Sequence, residues 1–280
     1  MLKIKVNYFN LKYTLECGQC FRWKYIEDTN SYIGVILDRV ISIKQEKEYI
    51  LVDSNKLDDL EPIVIKYFCL DKDYKEVEDR IANIDSNIKE SLKYSSGIRI
   101  LRQPLFETII SYIISANNNI KRISRSVGLI SQRYGTRVIF QGGDYYLFPT
   151  LDQMKDVTID ELLSLGVGFR AKYIKNVVKC FFENRKLLDE LKGMDTLAAK
   201  EKLLTLQGVG PKVADCILLF SLERSEVFPV DVWIKRIMER LYFKENVSIK
   251  EISKYAQNNF KGDAGIVQQH LFYNVREGKI

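Results

Sequence analysis

The stretch Leu203–Phe220, LLTLQGVGPKVADCILLF, decides how this chain is read. An apolar helical run breaks after Leu206, two glycines follow, and Pro211 takes the favoured first position of the next helix. Gly208 and Gly210 let the backbone turn sharply and approach a partner with no Cβ in the way. The free amides at the start of the second helix then form an anion site suited to a phosphate. Gln207, Gly208, Val209 and Gly210 are therefore candidate phosphate-binding residues. Taken alone, a Gly-x-Gly of this kind is an ordinary corner between two helices.

What surrounds the corner gives it chemistry. Lys212 falls in the first turn of its helix, where the helix dipole disfavours a positive charge. That position favours the neutral amine that a Schiff-base nucleophile requires. Asp231, nineteen residues beyond Lys212, follows Pro229-Val at the start of another helix and is placed to cap it. A carboxylate close to Lys212 would favour the ammonium, so the two effects oppose each other. Read separately, Lys212 is a solvated lysine and Asp231 a cap.

Farther out, the chain divides in two. From Leu2 to about Ser54 short strands alternate with turns: Phe21, Trp23 and Tyr25 alternate with Arg22 and Lys24, and Tyr32–Leu37, Val40–Ile43 and Tyr49–Val52 follow. Beyond about Leu57 the period becomes helical. After Arg102 nearly every segment predicts a helix: 105–117, 120–134, 159–165, 172–183, 196–206, 213–222, 232–241 and 249–260. The expected fold is α+β, with an antiparallel β-rich domain over 1–98 packed on a mostly helical domain over 99–280.

Composition excludes several classes. The chain has 280 residues, 46% hydrophobic and 29% charged, which describes a folded globular protein. With a single histidine, His270, neither a Ser-His-Asp triad nor a His-rich zinc site is available. Acid–base chemistry must rest on Lys, Asp, Glu, Tyr or Cys. The net charge of +6 is uneven: residues 1–100 carry 16 basic and 17 acidic side chains, the remainder 27 and 20. A basic C-terminal portion suits a polyanion partner. Five cysteines and no apolar leader or membrane-length run point to a reducing cytoplasm, with no membrane association. Cys17-Gly-Gln-Cys20 lacks a second close pair and reads as structural, and no metal site is expected.

Taken together and in order, these residues resemble the helix–hairpin–helix Gly-Pro-Asp superfamily of DNA glycosylases. Gly208-Val-Gly210-Pro-Lys212 and Pro229-Val-Asp231 match its signature, and lysine at 212 marks the bifunctional members. Within it the chain is similar to the 8-oxoguanine branch along nearly its whole length. Gly18-Gln-Cys-Phe-Arg-Trp23 resembles that branch's N-terminal motif, and Asn117-Asn-Asn-Ile-Lys-Arg122 its asparagine triplet. Gly168-Phe169-Arg170 is similar to its wedge loop, Lys212-Val-Ala-Asp-Cys216 to its catalytic helix, and Gln268-Gln-His-Leu-Phe272 to its last helix.

The resemblance implies a role for each position. Lys212 would attack C1′ as an amine, and Asp231 would stabilise the developing positive charge. Gly18, Cys216, Gln268 and Phe272 would form the base pocket. The Gly18 carbonyl would accept from the N7–H that guanine oxidation creates, and repel the bare N7 of guanine itself. Phe169 would wedge the base stack where relatives carry Tyr. Asn117, Arg122 and Arg170 would hold the orphaned cytosine, whose acceptor edge suits guanidinium forks. Trp233 stands where some relatives carry a His touching phosphate. The implied partner is double-stranded DNA containing 8-oxoguanine, met by a monomer in the cytoplasm, or in the nucleus of a eukaryote. No cofactor is required, although the hairpin could hold a monovalent cation as relatives do, and no Cys quartet for an iron–sulfur cluster follows Asp231. Two alternatives stay open: a related glycosylase for other damaged purines, which would usually lack the hairpin lysine, and a DNA-binding module without catalysis.

Overall fold

The computed structural model describes residues 1–279. Alternating side chains between Ser31 and Ser54 build three consecutive strands, β3 (Ser31–Ile36), β4 (Arg39–Glu46) and β5 (Tyr49–Ser54), joined by tight turns. With β1 (Leu2–Lys5) and β2 (Lys24–Ile26) they form an antiparallel sheet of order β1-β5-β4-β3-β2. A short helix, α1 (Leu11–Glu16), precedes β2, and three more follow the sheet: α2 (Leu60–Tyr67), α3 (Tyr74–Ala82) and α4 (Ser86–Ser95). One sheet face packs with Leu11, Leu15, Val64 and Phe68 into the N-terminal core.

The helical part comprises α5 (Leu105–Ser115), α6 (Ile120–Tyr134), α7 (Ile159–Ser164), α8 (Ala171–Glu183), α9 (Leu187–Gly193), α10 (Thr196–Leu204), α11 (Pro211–Ser221), α12 (Val232–Met238), α13 (Ile249–Asn259) and α14 (Ala264–Arg276). All eight segments expected from periodicity are helical, with ends shifted by a few residues. The helix from 232 to 241 is shorter than expected, because Glu239–Phe243 relaxes into a π-helical turn.

Two expectations fail. Phe21–Trp23 does not extend a strand; only Lys24–Ile26 pairs with the sheet. The aromatic residues of that motif are drawn into different cores. Phe21 packs edge-on against Tyr112 of α5, while Trp23 covers Gly34, where a Cβ would lie 2.4 Å from the indole. The helical part also contains a β-hairpin, β6 (Arg137–Phe140) and β7 (Gly143–Tyr146). Its two turn residues, Gln141 and Gly142, both have positive φ (48° and 76°), as the tight hairpin turn demands. Phe140 of this hairpin packs with Ile33, Val35 and Val40 on the outer face of the sheet. That cover explains why β3 is buried on both faces.

The last helix returns to the N-terminal domain and packs on α4. Arg80 of α3 grips Asp263, just before α14, through two bonds of 2.6 and 2.8 Å. Arg102 similarly joins Glu223, just past α11, at 2.6 Å. In the α4–α14 seam His270 is fully buried, with Nδ1 2.8 Å from Ser95 Oγ. Burial pulls its pKa down to about 4. An unfolded histidine takes up a proton near pH 6.5, whereas the folded one resists until about 4. Stability from this residue is therefore complete above pH 6.5 and is lost as pH falls toward 4. About 3 kcal/mol is at stake for a shift of this size. Urea melts between pH 7 and 4.5 should show that loss, and His270→Asn should remove it; an unchanged slope in the variant would refute the assignment.

Candidate active site

Three segments remote in sequence supply the candidate residues. The first is the start of α11 itself. Gly210 caps that helix in extended conformation and Pro211 begins it, which puts Lys212 in the first turn. Among the described residues no carboxylate lies within ion-pair distance of its Nζ. The amine instead sits 5.2 Å from the centre of the Tyr112 ring on α5. One helical turn farther along, Cys216 is buried, and burial pushes its thiol up to about 11 against the pull of the Lys212 charge. Cys216 is thus a neutral thiol beside the amine.

The second segment is the turn at Gly18. Its φ of +87° suits glycine, and a Cβ there would lie 3.1 Å from Phe272 and 3.2 Å from Arg276. Gly18 and Phe272, predicted to share a pocket, therefore do face each other. The turn is fastened by Gln19, which is fully buried. Its carboxamide nitrogen donates to the carbonyls of Thr14 (2.9 Å) and Arg99 (2.8 Å), and its oxygen accepts from Leu101 N–H at 2.9 Å. Its main-chain oxygen accepts from Tyr112 Oη at 3.1 Å and Gln103 Nε2 at 2.8 Å. The flanking thiols are inert: burial raises Cys17 to about 11 and Cys20 well above the usual range.

The third segment is α14, where side-chain register separates three tasks. Gln269 points to the turn and donates to the Cys17 carbonyl at 2.8 Å. His270 and Asn274 face α4, the latter donating to the Ser91 carbonyl at 2.8 Å. Gln268 is buried, yet its Oε1 has no hydrogen-bond partner among the described residues. An unpaired buried acceptor costs on the order of 1–3 kcal/mol.

Asp231 caps α12 through one oxygen. Its Oδ1 accepts from the N–H groups of Trp233 (3.0 Å) and Ile234 (2.8 Å), leaving Oδ2 unused. Its charge adds slightly to the upward push on the Cys216 thiol. Trp233 itself is half exposed.

The DNA-facing candidates lie on loops outside this cluster. At the hairpin, Gly208 has φ +89° and a Cβ would meet the Tyr173 ring at 2.8 Å, so α8 packs directly on the turn. Gln207 and Gly210 are exposed, Val209 is buried, and Gln207 accepts from Asn176. Phe169 is 54% exposed on a 3-10 turn, an unusual place for a phenyl ring. Arg170 stacks on it at 4.4 Å but is itself buried. Its guanidinium donates to the carbonyls of Ala116 (2.9 Å), Asn117 (2.9 Å) and Val167 (3.2 Å). This clamp holds Asn117 at a φ of +49°. Arg122 is exposed and has no ion-pair partner among the described residues.

Sequence reasoning did not single out Tyr112, Gln19 or Lys200. The last pairs at 2.6 Å with buried Asp215, bracing α10 against α11. An unpaired carboxylate so placed would be strongly destabilising. Neither Tyr112 nor Lys200 gives a local signal, since an aromatic residue on a buried helix and a lysine on a partly exposed one are both ordinary. Gln19 lies inside the Gly18–Trp23 motif, where sequence does not show that its carboxamide is buried.

Comparison with known proteins shows the family. Residues 1–109 match the 8-oxoguanine DNA glycosylase N-terminal domain, and residues 110–261 match the HhH-GPD superfamily of base excision DNA repair proteins. The chain belongs to the 8-oxoguanine DNA glycosylase family. A probable N-glycosylase/DNA lyase of Methanothermobacter thermautotrophicus is 31% identical, the match covering 98% of this chain and 96% of that protein. The N-glycosylase/DNA lyase of Saccharomyces cerevisiae is 34% identical over 81% of this chain and 67% of its own. A Clostridium acetobutylicum 8-oxoguanine glycosylase/lyase, crystallised with double-stranded DNA containing cytosine opposite 8-oxoG, is 35% identical. It superposes with a TM-score of 0.94, covering 100% of this chain and 99% of its own. The two matched segments, of the 8-oxoguanine glycosylase N-terminal domain and of the HhH-GPD superfamily, meet inside α5. Gly18 comes from the first, Lys212 and Asp231 from the second, and Gln268 and Phe272 lie beyond both. Among the described residues no His/Cys/Asp/Glu group could hold a metal ion, and no helix is long and apolar enough to cross a membrane.

Proposed function

We propose that this chain flips 8-oxoguanine out of duplex DNA and excises it through a Schiff base on Lys212, then cleaves the strand by β-elimination. One observation carries the reading. Among the described residues the Lys212 amine has no carboxylate partner and lies against Tyr112, whose hydroxyl bonds the turn where Gly18 faces Phe272, and the buried Gln268 Oε1 of the same helix as Phe272 lacks a donor. The Watson–Crick edge of a guanine lesion supplies donors for that oxygen, and the Gly18 carbonyl would accept its N7–H.

Extrusion costs a few kcal/mol of unstacking, and the exposed Phe169 ring can fill the gap. Lys212 Nζ, in its neutral form, attacks C1′ as the bond to N9 breaks and the base departs with a proton. The C1′–O4′ bond then breaks as the nitrogen lone pair moves onto C1′, and O4′ takes up the remaining N–H proton, which opens the sugar ring and leaves the C1′ imine. Loss of a C2′ proton lets the electron pair expel the 3′ phosphate. The Asp231 carboxylate stabilises the cationic sugar. The hairpin amides at 207–210 would hold a backbone phosphate. A monovalent cation there belongs to the same reading, because the carbonyls of Gln207, Gly208 and Val209 accept no hydrogen bond among the described residues. The enzyme would act as a monomer wherever the DNA lies, in the cytoplasm or, in a eukaryote, the nucleus.

Across the helix, Asn117, Arg122 and Arg170 would hold the widowed cytosine. Arg122 has the freer fork, since Arg170 already clamps the loop carbonyls. Two fork bonds gained with cytosine and lost with adenine are worth about 1–3 kcal/mol, or on the order of 5- to 150-fold in rate. The deciding experiment is nicking of an 8-oxoguanine duplex, without added alkali, against each opposing base. Cleavage fastest opposite cytosine is expected. Equal rates opposite all four bases would remove the cytosine reading; base release without nicking would indicate a monofunctional purine glycosylase, and binding alone a DNA-binding module.

A further inference from the structure

We infer that Tyr112 is a positioning residue that couples the lysine amine to the lesion-reading turn; the inference rests on the function proposed above. Tyr112 is 3% exposed at the middle of α5 and touches both halves of the site. Its ring lies 5.2 Å from Lys212 Nζ, within the range of a cation–π contact. Its hydroxyl donates to the main-chain oxygen of Gln19, the residue after Gly18, at 3.1 Å. One rigid side chain thus spans from the group that attacks the sugar to the turn that reads the base.

Its own position is over-determined. The ring stacks on Phe220 of α11, with centroids 5.5 Å apart and planes 16° from parallel, and Phe21 meets it edge-on at 5.6 Å. Phe220 is on the same helix as Lys212, so α11 grips the ring at both ends. With two χ angles and neighbours on both sides, the phenol has little freedom to lose. A ring face, unlike a carboxylate, orients an amine without forming an ion pair that attack on the sugar would have to break.

The two ends of Tyr112 make separable predictions. Tyr112→Phe keeps the ring and drops the bond to the Gln19 oxygen, which Gln103 Nε2 still holds at 2.8 Å. The loosened turn should read the lesion less well. Discrimination of 8-oxoguanine over guanine, measured by single-turnover excision or by competition binding, should fall about fivefold, the worth of a typical net hydrogen bond. Cleavage of a preformed abasic site, where there is no base to read, should fall less than twofold. Tyr112→Leu removes the ring as well and should reduce abasic-site cleavage and borohydride trapping at least tenfold. Gln103→Leu loosens the same carbonyl without touching the ring, and should repeat the Tyr112→Phe pattern.

Thermal melts accompany each variant, and the comparison is made at a temperature where all are folded. Equal losses on lesion and abasic substrates in Tyr112→Phe would mean a purely structural residue and overturn the inference. So would unchanged discrimination in both Tyr112→Phe and Gln103→Leu. Failure of the unmodified enzyme to nick the lesion duplex would instead overturn the proposed function, so the two failures are distinguishable.

Discussion

Lys212→Gln abolishes the borohydride-trapped complex with lesion DNA and lowers excision by about four orders of magnitude or more, the scale seen when a covalent nucleophile is removed. The fold should survive. The start of α11 is set by Gly210 and Pro211, not by the lysine, and a glutamine retains most of the side-chain stem. Removing a cation from the first turn of a helix stabilises it by about 0.3–1 kcal/mol. Binding to lesion DNA should persist, because the hairpin amides and Gln268 are untouched. The expected result is therefore a protein of equal or slightly higher melting temperature that binds lesion DNA and does nothing to it. A covalent trap that persists in Lys212→Gln would take the nucleophile role away from this residue.

Much of this site was legible because its chemistry is concentrated in short motifs. The hairpin, Lys212 and Asp231 announce themselves through Gly, Pro and a capping carboxylate, residues whose backbone consequences are local. The helices were legible from periodicity for the same reason. The β6–β7 hairpin was not, because its strands are only four residues each and their inward side chains pack against a sheet more than 80 residues earlier in the chain. The motif Phe21-Arg-Trp23 misled because alternation of aromatic and charged residues imitates a strand. Its rings are in fact divided between the two domain cores. Tyr112 was hidden differently: it lies on a helix buried nearly all round, where an aromatic residue is unremarkable. Only the assembled structure puts its hydroxyl on one motif and its ring beside another. Arg170 could be assigned to the DNA-facing loop by resemblance, but its grip on the Ala116 and Asn117 carbonyls required coordinates.

Asp231→Asn separates two roles that a single carboxylate combines. As a cap, Asp231 uses Oδ1 alone, accepting from the N–H groups of Trp233 and Ile234. Asparagine caps helices about as well as aspartate, so its carboxamide oxygen should take over both bonds with a change in stability of a few tenths of a kcal/mol. The charge is lost, however, and with it the stabilisation of a cationic sugar in a site partly shielded from water. Removing one preorganised electrostatic group of this kind costs about 10²–10³-fold in rate. Excision should fall by that factor at constant melting temperature. Asp231→Ala loses both roles, adding about 1 kcal/mol of lost capping to the same kinetic defect. If Asp231→Asn keeps excision within fivefold of the unmodified enzyme, the charge has no part in the reaction and the residue is a cap only. If it melts as early as Asp231→Ala, Oδ1 is not replaceable by a carboxamide and the two roles cannot be separated in this way. The unused Oδ2 favours the first expectation: capping takes only Oδ1, so the second oxygen is free of the helix end.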